Sequence, residues 1–560
     1  MGMITAHSIG RSGVPNLHVT QVGRTNAASR RRPGRAVQPV EGTVGIVALE
    51  PAPPLWAPSG RRPADPAAAD GNRTRTWEEL EGRTNAFGHG LETLGLAPGD
   101  HVLLVAGNRL EFLEGLLGAM RAGMVVTPAK SGLTEEELAY IAQDAGTRAV
   151  VTDRDAPRRL ATGAGLALVD LDDGYEPWLA SQSSDPLPAD RAGWRLPYTS
   201  GTTGRPKGVV QSTAGRTPFC RTWAASTAFA ERLQLPGHGW HAMLSRLYHG
   251  APLNFGLSTL ASGAAMRILP DWSPDAALGA LEDATSTCMV PTMFRQLLAL
   301  SEASRRRFDP SGLVTVVHGG EPCPVELKRR MIEWWGPKFL EYFGFTEGGM
   351  TLATTEEWLA HPGTVGRPTG QRVVIRGSDG EVLPAGTEGQ VYFTPPDDGA
   401  RDFTYLHDPD KTSGAHAADG SFTAGDVGWV DDEGYLYISG RASEVIVSAG
   451  VNVYPAEIEA VILEVPGVAD ACVVGGPDAE RGEQVVAFVT LPPGASASAG
   501  TDAVLSAVRD ACDERLAGYK RPRRVLVRDE IPRDGTGKLL RRVLRDELWG
   551  DDSPFAARRS

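Results

Sequence analysis

Apolar positions along this chain recur with two periods, and the switches between them mark its elements. Thr76-x-x-Glu79 has the form of a capping box, in which each end residue satisfies the other's backbone N–H. The run behind it places Leu80, Phe87, Leu91 and Leu94 at helical spacing, and Pro98-Gly99-Asp100 stops it. His101 to Ala106, apolar from Val102 onward, predicts a buried strand. A helix around Phe112 to Met120, a strand over Met124 to Pro128, a second capping box at Thr134 and Glu137, and a strand over Arg148 to Thr152 continue the alternation. Repeated β-α-β order predicts parallel sheet covered by helices. No short-period repeat interrupts it.

Val314 to His318 reads as a strand running into Gly319-Gly320. Pro324 opens a helix with Leu327, Met331, Trp334 and Trp335 on one face. A strand from Lys338 to Tyr342 ends at Gly344-Phe345-Thr346-Glu347. Strand ends that give way to glycine and polar loops suit a site at the carboxyl edge of a parallel sheet. From about Val373 the strands shorten and turns multiply. Beyond Gly440 the pattern is a compact α+β unit: a helix from Pro455 through Ile458, Val461 and Ile462, strands over 471–474 and 485–490, a surface loop at 492–498, a helix near 502–516 and a strand near Val525. A basic tail follows, with Lys538, Arg541, Arg542 and Arg545. The expected fold class is α/β. A large N-terminal domain over 43–439 combines parallel-rich, helix-covered sheets with a β-rich subdomain, and a small α+β domain occupies 440–560.

Bulk properties narrow the function. At 560 residues, two or more domains are expected. A hydrophobic content of 41% suits a globular enzyme. The net charge of −13 disfavours non-specific binding to nucleic acid or an anionic membrane. Five scattered cysteines contain no C-x-x-C, so neither a disulfide framework nor a zinc site is expected. No apolar run approaches the roughly 20 residues of a membrane span, and a soluble, cytoplasmic enzyme is expected. Residues 1–42 carry arginines but no acid before Glu41 and no sustained apolar period. They are expected to form a disordered extension rather than a secretory signal.

The chemistry concentrates in Tyr198-Thr-Ser-Gly-Thr-Thr-Gly-Arg-Pro-Lys-Gly-Val-Val210. Gly201 and Gly204 let backbone N–H groups approach an anion, while Thr199, Ser200, Thr202, Thr203 and Lys207 add donors. These suit triphosphate oxygens. The loop is not a Walker A motif, because Pro206 stands where the second glycine would be.

Five further segments accompany this loop: His318-Gly-Gly-Glu-Pro322, Tyr342-Phe-Gly-Phe-Thr-Glu-Gly-Gly349, Phe422-Thr-Ala-Gly-Asp426, Gly440-Arg441 with Gly450-Val-Asn-Val-Tyr-Pro-Ala-Glu-Ile-Glu459, and Pro532-Arg-Asp-Gly-Thr-Gly-Lys538. In order and spacing the set resembles the adenylate-forming superfamily of acyl-CoA synthetases, adenylation domains and luciferases, over roughly residues 70–550. The resemblance implies that Thr199 to Lys207 wrap the β- and γ-phosphates of ATP. It implies that Gly319, Gly320 and Glu321 border the adenine, with Phe343 at a stacking position where many relatives carry Tyr, and that Gly344 also belongs to the cofactor site. Thr346 would bond the α-phosphate, Glu347 would hold Mg²⁺, Asp426 would accept from the ribose hydroxyls, and Arg441 would brace them. Lys538 would be the catalytic lysine.

The implied reaction is attack of a substrate carboxylate on the α-phosphorus, loss of pyrophosphate, and transfer of the acyl group to coenzyme A after a hinge rotation of a mobile C-terminal domain. The hinge position is Ser443, and Ala449-Gly450 stands where relatives often carry Gly-Gly at the thiol tunnel. His249 matches a position between nucleotide and acyl pockets. No acidic residue lies between Tyr248 and Pro270, which argues against an α-amino acid as substrate. Ala251, Leu253, Phe255, Leu257 and Met350 suit an apolar pocket or equally a packed core. Fatty, aryl and steroid-type acids all remain open. So do three alternatives to the acid–CoA ligase: an enzyme loading a phosphopantetheinyl carrier protein, one adenylating another oxyanion such as nitrite, and a non-catalytic ATP-binding member.

Overall fold

The computed structural model describes residues 50–199, 206–395, 403–492, 498–533 and 539–550. A nine-stranded sheet runs in the order Arg367–Pro368, Gly348–Thr354, Phe339–Phe345, Thr315–Gly319, Ala284–Met289, Trp240–Met243, Ala265–Ile268, Pro66–Asp70, Arg73–Thr76. Its central strands are parallel, and antiparallel partners close both edges. A five-stranded, wholly parallel sheet runs Ala167–Asp170, Thr147–Thr152, His101–Val105, Val125–Pro128, Trp194–Arg195.

The helices Trp77–Thr93 and Leu110–Arg121 pack together between these sheets. One core takes Ala67, Ala68, Met266 and Ile268 from the first sheet, Val102, Leu104, Val126 and Val151 from the second, and Phe87, Leu91, Leu113 and Leu117 from the helices. Both predicted capping boxes, Thr76 with Glu79 and Thr134 with Glu137, are present. Every residue of Leu110–Arg121 is buried, so its charges must be paired. Arg83 Nε donates to Glu114 Oε1 at 2.6 Å, and Tyr175 Oη donates to Glu114 Oε2 at 2.8 Å. Arg121 bonds Glu81 and Asn85. Burial alone would raise the Glu111 carboxyl, but bonds from Arg73 and Arg109 overcome it and hold its pKa at about 2.

The β-rich part comprises an antiparallel sheet of Val373–Arg376, Gly389–Phe393, Asp426–Val430 and Leu436–Arg441 and a smaller one of Phe403–Tyr405, Lys207–Gln211 and Tyr198–Thr199. Both share an aromatic core of Phe393, Phe403, Tyr405 and Phe422. Beyond Arg441, a sheet of Val451–Val453, Ile446–Ser448, Gly482–Thr490 and Asp470–Asp478 takes Arg524–Val527 in parallel beside Gly482–Thr490. Alternation along its strands sorts the side chains onto two faces. Val473, Val485, Ala487 and Val489 pack against Ile458, Ile462 and Val508, while Cys472, Val474, Val486 and Phe488 pack against Leu544.

The predicted basic tail differs in one respect. Arg541–Trp549 is a helix, and Arg541 is drawn inside by Glu459 Oε2 at 2.5 Å and Glu444 Oε2 at 3.2 Å. Two further helices are Phe219–Arg232, which has a clear apolar face, and Gly250–Ala261, which carries no marked apolar period in the sequence. The second is buried on nearly every side, which erases amphipathicity. Among the described residues, no helix is long and apolar enough to cross a membrane.

Candidate active site

A cleft of about 2050 Å³ opens where the carboxyl ends of Thr315–Gly319 and Phe339–Phe345 meet the β-rich sheets, and residues beyond Gly440 line its far side. Thr199, Lys207, His249, Gly320, Gly344, Thr346, Glu347, Arg441 and Ser443 all line it. So do Arg533, Leu539, Arg541 and Arg545 from the C-terminal part. Ser200, Gly201, Thr202, Thr203, Gly204 and Lys538 lie outside the described residues.

The strands Tyr198–Thr199 and Lys207–Gln211 pair antiparallel with Thr199 opposite Lys207, so both ends of the hydroxyl-rich loop stand at the cleft wall. Lys207 Nζ sits 4.4 Å from the centroid of the Tyr405 ring, and Tyr405 Oη donates to Glu347 Oε1 at 2.7 Å. Burial lowers the Lys207 pKa and Lys411 lowers it further, with Glu347 and Asp408 opposing. Gln211 Nε2 donates to the carbonyls of Thr346, at 2.9 Å, and Glu347, at 3.1 Å. Loop, carboxylate and strand are thus tied into one wall. The sequence does not mark Gln211, and it marks Tyr405 only as part of a segment resembling fatty-, aryl- and steroid-acid ligases, not as a partner of Glu347. Their partners are distant in the chain, and no local spacing points to them.

Asp426 and Arg441 face each other across paired strands, and Arg441 Nε donates to Asp426 Oδ1 at 3.2 Å. Asp426 is buried and stands behind Arg441, which reaches the cleft. Gly320 takes a φ of +79°, which a side chain would strain. The absent side chain of Gly319 is demanded by its own fold, because a Cβ there would meet the Tyr342 carbonyl oxygen at 2.1 Å. The Glu321 carboxylate accepts from the Thr292 backbone N–H at 3.2 Å and hydroxyl at 2.7 Å, fastening the start of the helix Pro291–Leu298. Phe343 packs against Phe345 and Phe393.

The helices Phe219–Arg232 and Gly250–Ala261 supply Thr222, Ser226, Phe229, Ala251, Leu253 and Phe255 to the wall, joined by Tyr342 and Met350. Phe229 stacks on Phe255 at 6.1 Å, and Phe255 meets Tyr342 edge-on at 4.9 Å. Leu257, also a pocket candidate in the sequence, is buried in the large core instead. A wide cleft lined both by phosphate-suited donors and by aromatic rings can hold a nucleotide beside an apolar molecule.

Ala449 and Gly450 are not among the residues lining this cleft. They form the two-residue turn between Ile446–Ser448 and Val451–Val453, with φ of 50° and 79°. Positive φ at both positions is the hairpin turn of the primed type. Alanine there is strained by about 1 kcal/mol, and glycine's larger unfolded-state freedom returns part of that on replacement. Ala449→Gly is expected to stabilise the protein by about 0.5 kcal/mol, read as a higher urea midpoint.

The model of the AMP-binding enzyme family matches residues 55–397, and that of the AMP-binding enzyme C-terminal domain matches 457–538. The chain is 33% identical over 516 residues to the fatty acid–[acyl-carrier-protein] ligase ScoC of Streptomyces coeruleorubidus, covering 88% of this chain and 95% of that protein. It is 31% identical over 498 residues to the long-chain-fatty-acid–CoA ligase FadD13 of Mycobacterium tuberculosis, covering 84% and 93%. The crystal structure of ATP-bound MatB from Rhodopseudomonas palustris superposes with a TM-score of 0.76 at 28% identity, covering 90% of this chain and all of that one.

Proposed function

The chain belongs to the AMP-binding enzyme family, and on that premise we propose that it activates a fatty or aryl carboxylic acid and passes the acyl group to coenzyme A. The acid's carboxylate oxygen attacks the α-phosphorus of ATP, the bond to the β-phosphate breaks, and acyl-AMP and pyrophosphate form. The thiol sulfur then attacks the acyl carbon, and AMP leaves. The observation that carries this reading is the joining of Lys207, Glu347 and Tyr405 in the wall of a cleft that aromatic side chains also line. The aromatic pocket and the missing acid between Tyr248 and Pro270 support an apolar acid over an amino acid.

In this reading Thr199 to Lys207 hold the leaving pyrophosphate. Gly319 to Glu321, Phe343 and Gly344 form the adenine side. Thr346 bonds the α-phosphate, Asp426 and Arg441 hold the ribose, and His249 separates nucleotide from acid. Magnesium needs only one or two carboxylates when phosphates complete its shell. A single buried carboxylate, Glu347, fits that requirement, and no cluster of three or more metal-ligating side chains stands among the described residues. When bound, the ion would neutralise phosphate charge. Tyr405 positions that carboxylate. Tyr405→Phe leaves a buried oxygen without its hydrogen bond, so kcat/KM for ATP is expected to fall about tenfold, most steeply at limiting Mg²⁺. Titrating Mg²⁺ against pyrophosphate release checks this.

We assign residues 43–439 to the large domain and 440–560 to a small domain that turns about Ser443 between the two half-reactions, with Gly450 on the acceptor side. The cytoplasm, which holds ATP and coenzyme A, is the fitting compartment, and all five cysteines are unpaired. The similarity to ScoC favours one second reading, in which a phosphopantetheinyl carrier protein is the acceptor. Mass spectrometry of the products from ATP, Mg²⁺ and a carboxylic-acid panel, alone and with coenzyme A or a holo-carrier, tests both readings. AMP with a new thioester is expected, and absence of AMP across the panel overturns the reading.

A further inference from the structure

Arg195, half-buried in the cleft wall, differs from the other arginines that the N-terminal part ties down. It ends the edge strand Trp194–Arg195, paired with Val126. Leu196 beside it is buried, and Arg195 is turned to line the cleft. Arg73 meets Asp70 and Glu111, Arg83 meets Glu114 and Glu176, Arg121 meets Glu81, and Arg158 meets Asp170. Arg195 meets no carboxylate among the described residues. Its side chain donates to the carboxamide oxygen of Asn254. Burial brings its pKa down to about 10 with no acid opposing, so it is still a cation at neutral pH.

A cation held in a cleft without a counter-ion is destabilising, and an arriving anion relieves that. A guanidinium is a planar fork of donors that matches carboxylate and phosphate oxygens, and Asn254 takes up only part of it. Asn254 is exposed to the cleft on the helix Gly250–Ala261. It lies five residues beyond His249, about 7.5 Å along the helix axis. If His249 borders the reacting carboxylate as the proposed function has it, an anion held at Asn254 would be a second group rather than that carboxylate.

We propose that Arg195 and Asn254 form an oxyanion-recognising pair that binds a second anionic group of a substrate in the cleft. Two groups carry that chemistry: the distal carboxylate of a dicarboxylic acid, and the phosphate on the pantetheine arm of the thiol acceptor. The inference rests on the acid-activating reading of the cleft.

The test compares ratios, not absolute rates. For wild type, Arg195→Leu and Arg195→Lys, pyrophosphate release is measured with octanedioate against octanoate and dodecanedioate against dodecanoate. Thioester formation is measured with phosphopantetheine against pantetheine. A preference for the anion-bearing partner in one comparison is expected, falling about tenfold or more in Arg195→Leu and largely kept in Arg195→Lys. The comparison that responds names the source of the anion. Unchanged ratios in Arg195→Leu, or a wild type indifferent in both comparisons, overturn the proposal. Circular dichroism of each variant separates misfolding from lost recognition. Pyrophosphate release with the monocarboxylates tests the acid-activating reading by itself.

Discussion

Alanine in place of Lys538 is expected to slow adenylate formation by about 10²–10³-fold while leaving transfer from supplied acyl-AMP to the thiol nearly unchanged. Negative charge crowds at the α-phosphorus as the carboxylate approaches and pyrophosphate departs. An ammonium held there acts by position and charge and does no covalent chemistry. The role comes from the motif Pro532-Arg-Asp-Gly-Thr-Gly-Lys538. On both sides of that motif's end, Arg533 and Leu539 line the cleft wall, and they pair as an antiparallel bridge. Arg533 is anchored by Asp470 Oδ2 at 2.7 Å, and Arg541 by Glu459 and Glu444. Glu444 follows the Ser443 position directly, so Arg541, three residues beyond Lys538 in the chain, is tied to the segment about which the small domain is proposed to turn. Stopped-flow or quenched assays of the two half-reactions check the prediction. Equal loss in both would assign Lys538 to folding or to general nucleotide binding, and the separation of roles between half-reactions would fail.

The parts of this fold that the sequence makes legible are those whose signals are local. Thr76 with Glu79 and Thr134 with Glu137 are caps closed within one turn, and both form as the spacing requires. The strands at 101–105 and 315–319 are short apolar runs, which burial on both faces produces. The helix Gly250–Ala261 escapes for the opposite reason: packed on nearly every side, it has no polar face to reveal a period. The basic tail reads as solvated charge because a sequence does not show that Glu444 and Glu459 stand ready to receive Arg541. The site divides in the same way. Thr346 and Glu347 are found in one contiguous motif, whereas Tyr405 reaches Glu347 and Arg195 reaches Asn254 only through strand pairing and helix packing over long sequence separations.

Behind the nucleotide side of the cleft, replacing Lys328 with methionine is expected to destabilise the protein by about 3–5 kcal/mol. Lys328 is fully buried, and its Nζ donates to Glu341 Oε2 at 2.7 Å while lying 4.5 Å from the centroid of the Trp358 ring. His318, also fully buried, has its Nε2 3.8 Å from Glu341 Oε2. Burial and the Lys328 charge push the His318 pKa well below its usual value, so the imidazole is neutral and cannot replace the ammonium. Burial raises the Glu341 carboxyl, and Lys328 opposes that rise.

Without the lysine, the carboxylate is left in a dry interior with no cation. The sign of the pH dependence follows. Removing Lys328 raises the folded-state pKa of Glu341 further above its unfolded value, so the carboxyl's contribution to stability is kept below the unfolded pKa and lost as pH rises through the folded one. The deficit of Lys328→Met should therefore be largest near neutral pH and shrink as the solution is acidified toward the ordinary carboxylate range. Lys328→Met combined with Glu341→Leu should recover most of the loss, because removing both charges removes the uncompensated one. Urea unfolding of the single and double variants at two pH values checks this, and a deficit independent of pH would show that packing, not charge, is at stake. The pair also bears on function. Glu341 precedes Phe343, Gly344, Thr346 and Glu347 on one strand and its exit loop, and His318 directly precedes Gly319-Gly320. A strand shifted by an unpaired charge would displace both loops, so at permissive temperature the single variant should raise KM for ATP and the double variant should restore it.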